Sequence, residues 1–270
     1  MTAGFLSAIV KDVRAELEGP GYGSGLPKSR ETPTSSLRRA IERDRATGAL
    51  VVEYKRVSPG QEEARLPPRS IPEFLEATEP ARPTAFSCLA TAPRFDGSPL
   101  DVHALSRATG RPVLFKEFVI DRRQVEIAER AGASAILLIA RLEKAGVLRQ
   151  PLAVLAKEAH RRGLEVLLEF HERSELSHAV EVAADVFGVN ARDLDSLRLE
   201  PGVAESTIEA ALAQGLRPLL GLSGVATVAD AHRFWNAGVD GILVGTAVAR
   251  ARDPARFVGS LRRRDGGATE

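Results

Sequence analysis

The chain has 270 residues, 44% hydrophobic and 27% charged, which is globular composition with ample material for a core. Lys+Arg is 37 against Asp+Glu 36, so no global field favours a nucleic-acid partner. The single cysteine, Cys88, excludes a disulfide framework and any multi-cysteine metal site. The longest apolar run, residues 135–140, falls far short of the roughly 20 residues that a membrane span needs. The run at residues 5–10 stops at Lys11-Asp12, too soon for a signal peptide. The expectation is a soluble cytoplasmic protein that engages neither membrane nor nucleic acid.

In chain order, residues 5–17 and 36–47 read as two amphipathic helices joined by the Gly/Pro-rich stretch 19–33. They form an N-terminal extension, residues 1–48, with two readings: a plug under the body of the fold or a lid over its functional face. From residue 49 short apolar runs alternate with helix-length amphipathic stretches. The runs fall at 50–55, 84–89, 113–116, 135–139, 166–169, 186–190, 218–222 and 241–245. Their Val, Ile and Leu content suits strands buried on both faces of a parallel sheet. Glycines at 132, 163 and 238 stop the intervening helices. Eight such units over residues 49–262 predict an α/β fold, a closed (β/α)8 barrel. An open doubly wound sheet is the alternative, weakened because no Gly-x-Gly-x-x-Gly follows the first strand. Residues 263–270 read as a polar, flexible tail.

In such a barrel the functional groups sit at the C-terminal strand ends. There lie Glu53 and Lys55 on the first strand, Lys116 on the third, Glu169 on the fifth and Asn190 on the sixth. Of the 37 basic residues only 6 are lysines, and two of these are Lys55 and Lys116. A lysine amine can release its proton when its surroundings shift it, whereas an arginine does not. Clustered ionisable groups mark sites, although an ion-pair network closing the barrel mouth is the structural alternative. Glu165, at the opposite end of the fifth strand, reads as a solvated residue. The small residues Ser223 and Gly224 after strand seven, with Gly245 and Thr246 after strand eight, suit a phosphate cradle. His103, His160, His171, His178 and His232 show no metal-ligand spacing and read as surface or capping residues. Phe95 and Phe118, just beyond strands two and three, read either as walls of an aromatic pocket or as loop packing.

At Glu53-Tyr54-Lys55-Arg56-Val57-Ser58-Pro59, Lys116-Glu117-Phe118-Val119-Ile120, Leu168-Glu169-Phe170 and Gly188-Val189-Asn190-Ala191-Arg192-Asp193-Leu194 the sequence resembles indole-3-glycerol phosphate synthase. Phe95-Asp96-Gly97-Ser98 and Gly132-Ala133-Ser134-Ala135 also fit that family. The resemblance implies a cofactor-free, metal-free lyase of tryptophan biosynthesis. Its substrate would be 1-(2-carboxyphenylamino)-1-deoxyribulose 5-phosphate, which closes its ring with loss of CO2 and water. Lys116 would be the general acid of ring closure, with Glu53, Lys55 and Glu169 sharing acid–base work. Lys55 is a further candidate contact of the phosphate or carboxylate. Asn190 and Arg192 would hold the polar end of the intermediate, and Ser58, Ser223, Gly224, Gly245 and Thr246 the phosphate. Phe95, Phe118, Leu137 and Val244 would line the anthranilate pocket, with Phe5 a candidate cap. Candidate partners are other enzymes of the same pathway. The alternatives are another phosphosugar barrel enzyme, or a barrel that binds without turnover.

Three departures stand out. The family's usual Glu-Ser-Gly after strand seven is here Leu222-Ser223-Gly224, which removes a carboxylate from the mouth. After strand two Leu89-Ala90-Thr91 replaces Leu-Thr-acid. Gly60-Gln61-Glu62-Glu63 is more acidic than the usual small-residue turn.

Overall fold

A computed structural model describes residues 4–31, 34–60 and 64–263. The acidic turn at 61–63 and the tail from 264 lie outside the described residues. Eight parallel strands close in sequence order into one barrel, as the alternation predicts. They are β1 (Ala49–Tyr54), β2 (Ala85–Leu89), β3 (Val113–Lys116), β4 (Ala135–Ile139), β5 (Glu165–Phe170), β6 (Val186–Asn190), β7 (Leu219–Leu222) and β8 (Gly241–Val244). Every strand residue is buried except the half-buried Lys116 and Glu165, at opposite ends of the barrel.

Strand parity sorts the core into two clusters. Ala49, Val51, Leu114, Leu137, Leu167, Val186, Leu220, Leu222 and Leu243 fill the barrel interior. Leu50, Val52, Phe86, Phe115, Leu138, Val166, Phe187 and Ile242 belong to the jacket between sheet and helices. Because alternate residues point to opposite faces, Glu53, Lys116, Glu169 and Asn190 share the inward parity at the C-terminal ends. Tyr54, Glu117 and Val244 have the outward one. Cys88 packs in the jacket, fully buried.

The two helices of the extension lie at opposite ends of the barrel. Helix α1 (Phe5–Glu18) lies across the C-terminal mouth. It buries Leu6, Ile9, Val10 and Val13 in the cluster that holds Phe118, Ile120, Leu142 and Leu194 from the loops there. Helix α2 (Leu37–Asp44) stoppers the other end, with Leu37 and Ile41 fully buried beneath β1. Glu165 docks α2 rather than standing free in solvent: it accepts from the Ser36 hydroxyl and from the Arg38 N–H at 2.9 Å. The stretch between the helices descends the outside of the barrel. Arg130 Nε donates to Pro27 O at 2.8 Å, and Arg30 Nη1 to Gly163 O at 3.3 Å. At the C-terminal end Arg262 bonds the carbonyls of Ala81 and Arg82, and Arg263 donates to Thr47 O, so the last described residues are pinned.

Candidate active site

Glu53 is the hub of the mouth. Its Oε1 lies 2.9 Å from Lys55 Nζ, and its Oε2 accepts from Lys116 Nζ at 2.8 Å. Burial alone would raise this carboxyl, but the two ammoniums outweigh it and pull it down to about 2. Burial lowers the Lys55 amine, with the Glu53 charge only partly restoring it. Burial also works against the Lys116 ammonium, yet Glu53 and Glu169 together hold it above the ordinary lysine range. Glu169 is raised, chiefly by burial, with Lys116 and the Asn190 amide opposing. Asn190 Nδ2 donates to Glu169 Oε1 at 3.0 Å, and Asn190 Oδ1 accepts from the Arg192 N–H at 3.0 Å. Two lysines and two carboxylates are thus held in different protonation tendencies side by side, as acid–base chemistry requires.

The cleft around this hub has two lobes that share Glu53, Lys55, Ser58, Lys116, Arg192 and Ser223. The narrower, of about 90 Å³, is walled by Phe5, Phe95, Phe118 and Leu137, with Glu169 and Asn190 at its base. Phe95 packs edge-on to Phe5 and tilted to Phe118, with centroids 6.2 and 6.0 Å apart. The wider lobe, of about 490 Å³, is lined by Ser223, Gly224, Val244, Gly245, Thr246 and Arg250. Ser58 Oγ and Thr246 Oγ1 meet there at 3.0 Å. Ser223 adopts the left-handed φ of 62° and Gly224 follows at 77°. Holding a serine there costs of order 1 kcal/mol, and such residues cluster at ligand clamps.

The structure therefore brings every sequence-selected site residue to one cleft. Val244 alone falls in a different lobe from the one expected. Leu243 and Gly245 take the inward parity, so Val244 faces the jacket and meets the cleft only at the wider lobe. Leu222 does face inward, 1% exposed, with its Cδ1 only 2.8 Å from where a Cβ on Gly188 would sit. With no carboxylate there, the cations Lys55, Lys116, Arg192 and Arg250 outnumber the carboxyl groups of Glu53, Glu117 and Glu169 around the cleft. That excess favours an anionic ligand.

Sequence reasoning missed two buried groups. Glu117, in the outward parity, is 2% exposed, with Oε1 accepting from Thr91 Oγ1 at 2.6 Å and from the Phe118 N–H at 2.7 Å. Its Oε2 has no partner among the described residues, and burial raises the carboxyl to about 8. His171, expected at the surface, is 5% exposed between β5 and β6. No periodicity reveals either; only the departure of Glu117 from the inward parity hints at burial against a loop.

Gly245 lets β8 approach the hub. A Cβ there would lie 2.8 Å from Glu53 Oε1 and 3.2 Å from Lys55 Cε. Gly245→Ala is expected to displace the Glu53–Lys55 pair and lower kcat by about 10²-fold, since a shift of about 1 Å can cost that much. Steady-state kinetics beside an unchanged circular dichroism spectrum checks it. Unchanged kcat would mean that the hub tolerates movement.

Fold and cleft together define a (β/α)8 barrel whose mouth holds two lysines and two carboxyl groups between an aromatic and an anion-sized lobe. A family model described as indole-3-glycerol phosphate synthase matches residues 6–261, and the chain belongs to that family. The indole-3-glycerol phosphate synthase of Exiguobacterium sibiricum is 34% identical over 210 residues, 78% of this chain and 79% of that protein. The Staphylococcus aureus (strain bovine RF122) protein of the same name is 31% identical over 263 residues, 95% and 96% of the two chains. Among solved structures, a 3-hexulose-6-phosphate synthase superposes with a TM-score of 0.60 at 16% identity, over 79% of this chain and 97% of that one. The thiamine phosphate pyrophosphorylase of Pyrococcus furiosus gives 0.56 at 18%, over 84% and 96%. At such identities these two show the fold alone. Among the described residues no helix is long and apolar enough to cross a membrane.

Proposed function

We propose that this chain converts 1-(2-carboxyphenylamino)-1-deoxyribulose 5-phosphate into indole-3-glycerol phosphate, CO2 and water. The observation that carries this reading is Glu53, ion-paired to both Lys55 and Lys116 where the aromatic and anion-sized lobes meet. The aromatic ring of the substrate fits the lobe of Phe95, Phe118 and Leu137, under Phe5. The phosphate fits the lobe of Ser58, Ser223, Gly224, Gly245 and Thr246. Arg192 and Lys55, which line both lobes, reach the polar groups between.

As the ring carbon bearing the carboxylate attacks the ribulose carbonyl, Lys116 Nζ donates a proton to that oxygen. Loss of CO2 returns its electron pair to the ring and restores aromaticity without further proton transfer. Glu169, raised by burial and so poised as an acid, protonates the departing hydroxyl, which leaves as water. The proton released from the adjacent ribulose carbon returns to the Lys116 amine. One proton is consumed overall, entering through Glu169, as decarboxylation of a carboxylate demands. Glu53 stays ionised and keeps both ammoniums in register, and Asn190 orients Glu169.

The test is indole fluorescence on mixing substrate with purified protein; its absence overturns the proposal. Inorganic phosphate is expected to compete, raising KM while leaving kcat unchanged. A purely noncompetitive effect would sink the assignment of the wider lobe. Leu222 favours a second reading, a barrel that binds the same compound without turnover. Saturable binding with no fluorescent product would establish it.

A further inference from the structure

His171 follows Glu169 by two residues, just past the C-terminal end of β5, and both of its ring nitrogens face acceptors. Nδ1 is 2.9 Å from the backbone oxygen of Asn190, and Nε2 is 3.1 Å from Glu200 Oε2. Asp193 Oδ2 stands 3.8 Å from the same Nε2. A neutral imidazole has one N–H to donate, whereas the charged ring has two. Whichever nitrogen carries the proton, the ring lies between the end of β6 and the loop that follows it.

The ring is itself immobilised. Its backbone N–H donates to Glu175 Oε2 at 2.6 Å, and its carbonyl accepts from Thr207 Oγ1 at 3.3 Å. Glu175, fully buried, is in turn held by Arg141 Nε at 2.8 Å, and Arg141 Nη1 reaches Asp193 at 3.0 Å. Glu200 and Asp193 belong to the loop after β6, residues 191–200, which Glu200 closes by donating its N–H to Ala191 O at 2.7 Å. That loop carries Arg192 and accepts the Phe5 N–H of α1 through Asp195 O.

We propose that His171 is a positioning residue for the reaction, a ring that holds the backbone of Asn190 and the loop carrying Arg192 together. Through Asn190 it sets where Glu169 points; through Glu200 it fixes the loop on which Arg192 and the end of α1 rest. The charged groups around the ring are Glu200 and Asp193 on the loop, Glu169 and Glu175 around β5, and Arg141 after β4. The proposal rests on the synthase reading, so the wild-type protein is assayed alongside.

The experiment combines two variants with a spectrum of the unaltered protein. His171→Leu keeps approximate volume and removes both nitrogens; His171→Gln keeps one. With folding checked by circular dichroism, kcat is expected to fall by about 10–100-fold for leucine, as for other supporting partners of a reactive group. Glutamine should restore part of it, and KM should change less than kcat. In nitrogen-15 spectra, the histidine signal lost in both variants should show a ring proton held in a hydrogen bond and slow to exchange with solvent. A leucine variant with unimpaired kcat, or a ring proton that exchanges freely with solvent, would overturn the proposal. If the leucine variant does not fold, the glutamine variant and the spectrum decide it. An inactive wild-type protein would instead remove the synthase reading, and the spectrum would still report on the ring.

Discussion

Lys116→Met is expected to suppress indole formation by about 10²–10⁴-fold in kcat, the usual worth of a positioned general acid. Methionine keeps the unbranched stem, so the packing of β3 against β2 and β4 survives, and the loss is chemical. The proton donor at the carbonyl disappears, and so does the charge that counteracts burial at Glu169. The proton removed from the ribulose carbon also loses its acceptor. Glu53 keeps Lys55 as a partner at 2.9 Å, so the buried carboxylate is not stranded and the fold should hold. Single-turnover kinetics with a thermal melt checks both halves. A variant that retains most of its activity would mean that Lys55 is the donor, and the roles of the two lysines would exchange.

Glu117→Gln is expected to stabilise the protein, and increasingly so as pH rises. In the fold the Glu117 carboxyl is raised to about 8, burial being the main cause, against an ordinary 4.5. Below 4.5 folded and unfolded chains are both protonated, and the group contributes no pH dependence. Between 4.5 and about 8 the unfolded chain ionises while the folded one resists, so the fold loses stability with rising pH. At about 1.4 kcal/mol per unit the loss is of order 3 kcal/mol at neutrality and levels off above the folded value. Glutamine cannot ionise, yet keeps an oxygen for Thr91 and the Phe118 N–H. Melting temperatures of the two proteins should therefore coincide in acid and diverge toward alkaline pH. Parallel curves across that range would show that Glu117 is ionised in the fold and held by a partner.

The barrel was legible because each strand is a short apolar run and each helix shows its own stripe, with glycines marking the joins. The strand-end lysines and carboxylates were legible because burying a charge inside a barrel is costly without a partner or a use. What could not be read was destination. Amphipathic spacing shows that α1 and α2 each bury one face, but not that one meets Phe118 at the mouth and the other β1 at the base. Likewise Glu165 looked solvent-facing because its partner, the cap of α2, lies far away in sequence. His171 carries no periodic signal, since its burial comes from carbonyl and carboxylate partners rather than an apolar stripe. Val244 was misplaced by one step of strand parity, which a sequence motif does not encode.

The path of the chain from mouth to base has an entropic consequence. Gly23 is packed so closely on Ile127 that a Cβ would lie 2.2 Å from Cδ1, and Leu26 and Pro27 are bound by Arg130. Helix α1 over the mouth is held by its buried face, by the Asp12–Arg94 ion pair at 2.9 Å, by Arg123 Nη1 donating to Leu17 O at 2.8 Å and by the Phe5 N–H donating to Asp195 O. Beyond the Gly19-Pro20-Gly21 turn the chain is held again at Gly23, Leu26 and Pro27. Because α1 is carried by the same chain as the barrel, its seating on the mouth is an intramolecular event at high effective concentration, and forfeits none of the translational freedom that a separate subunit would lose.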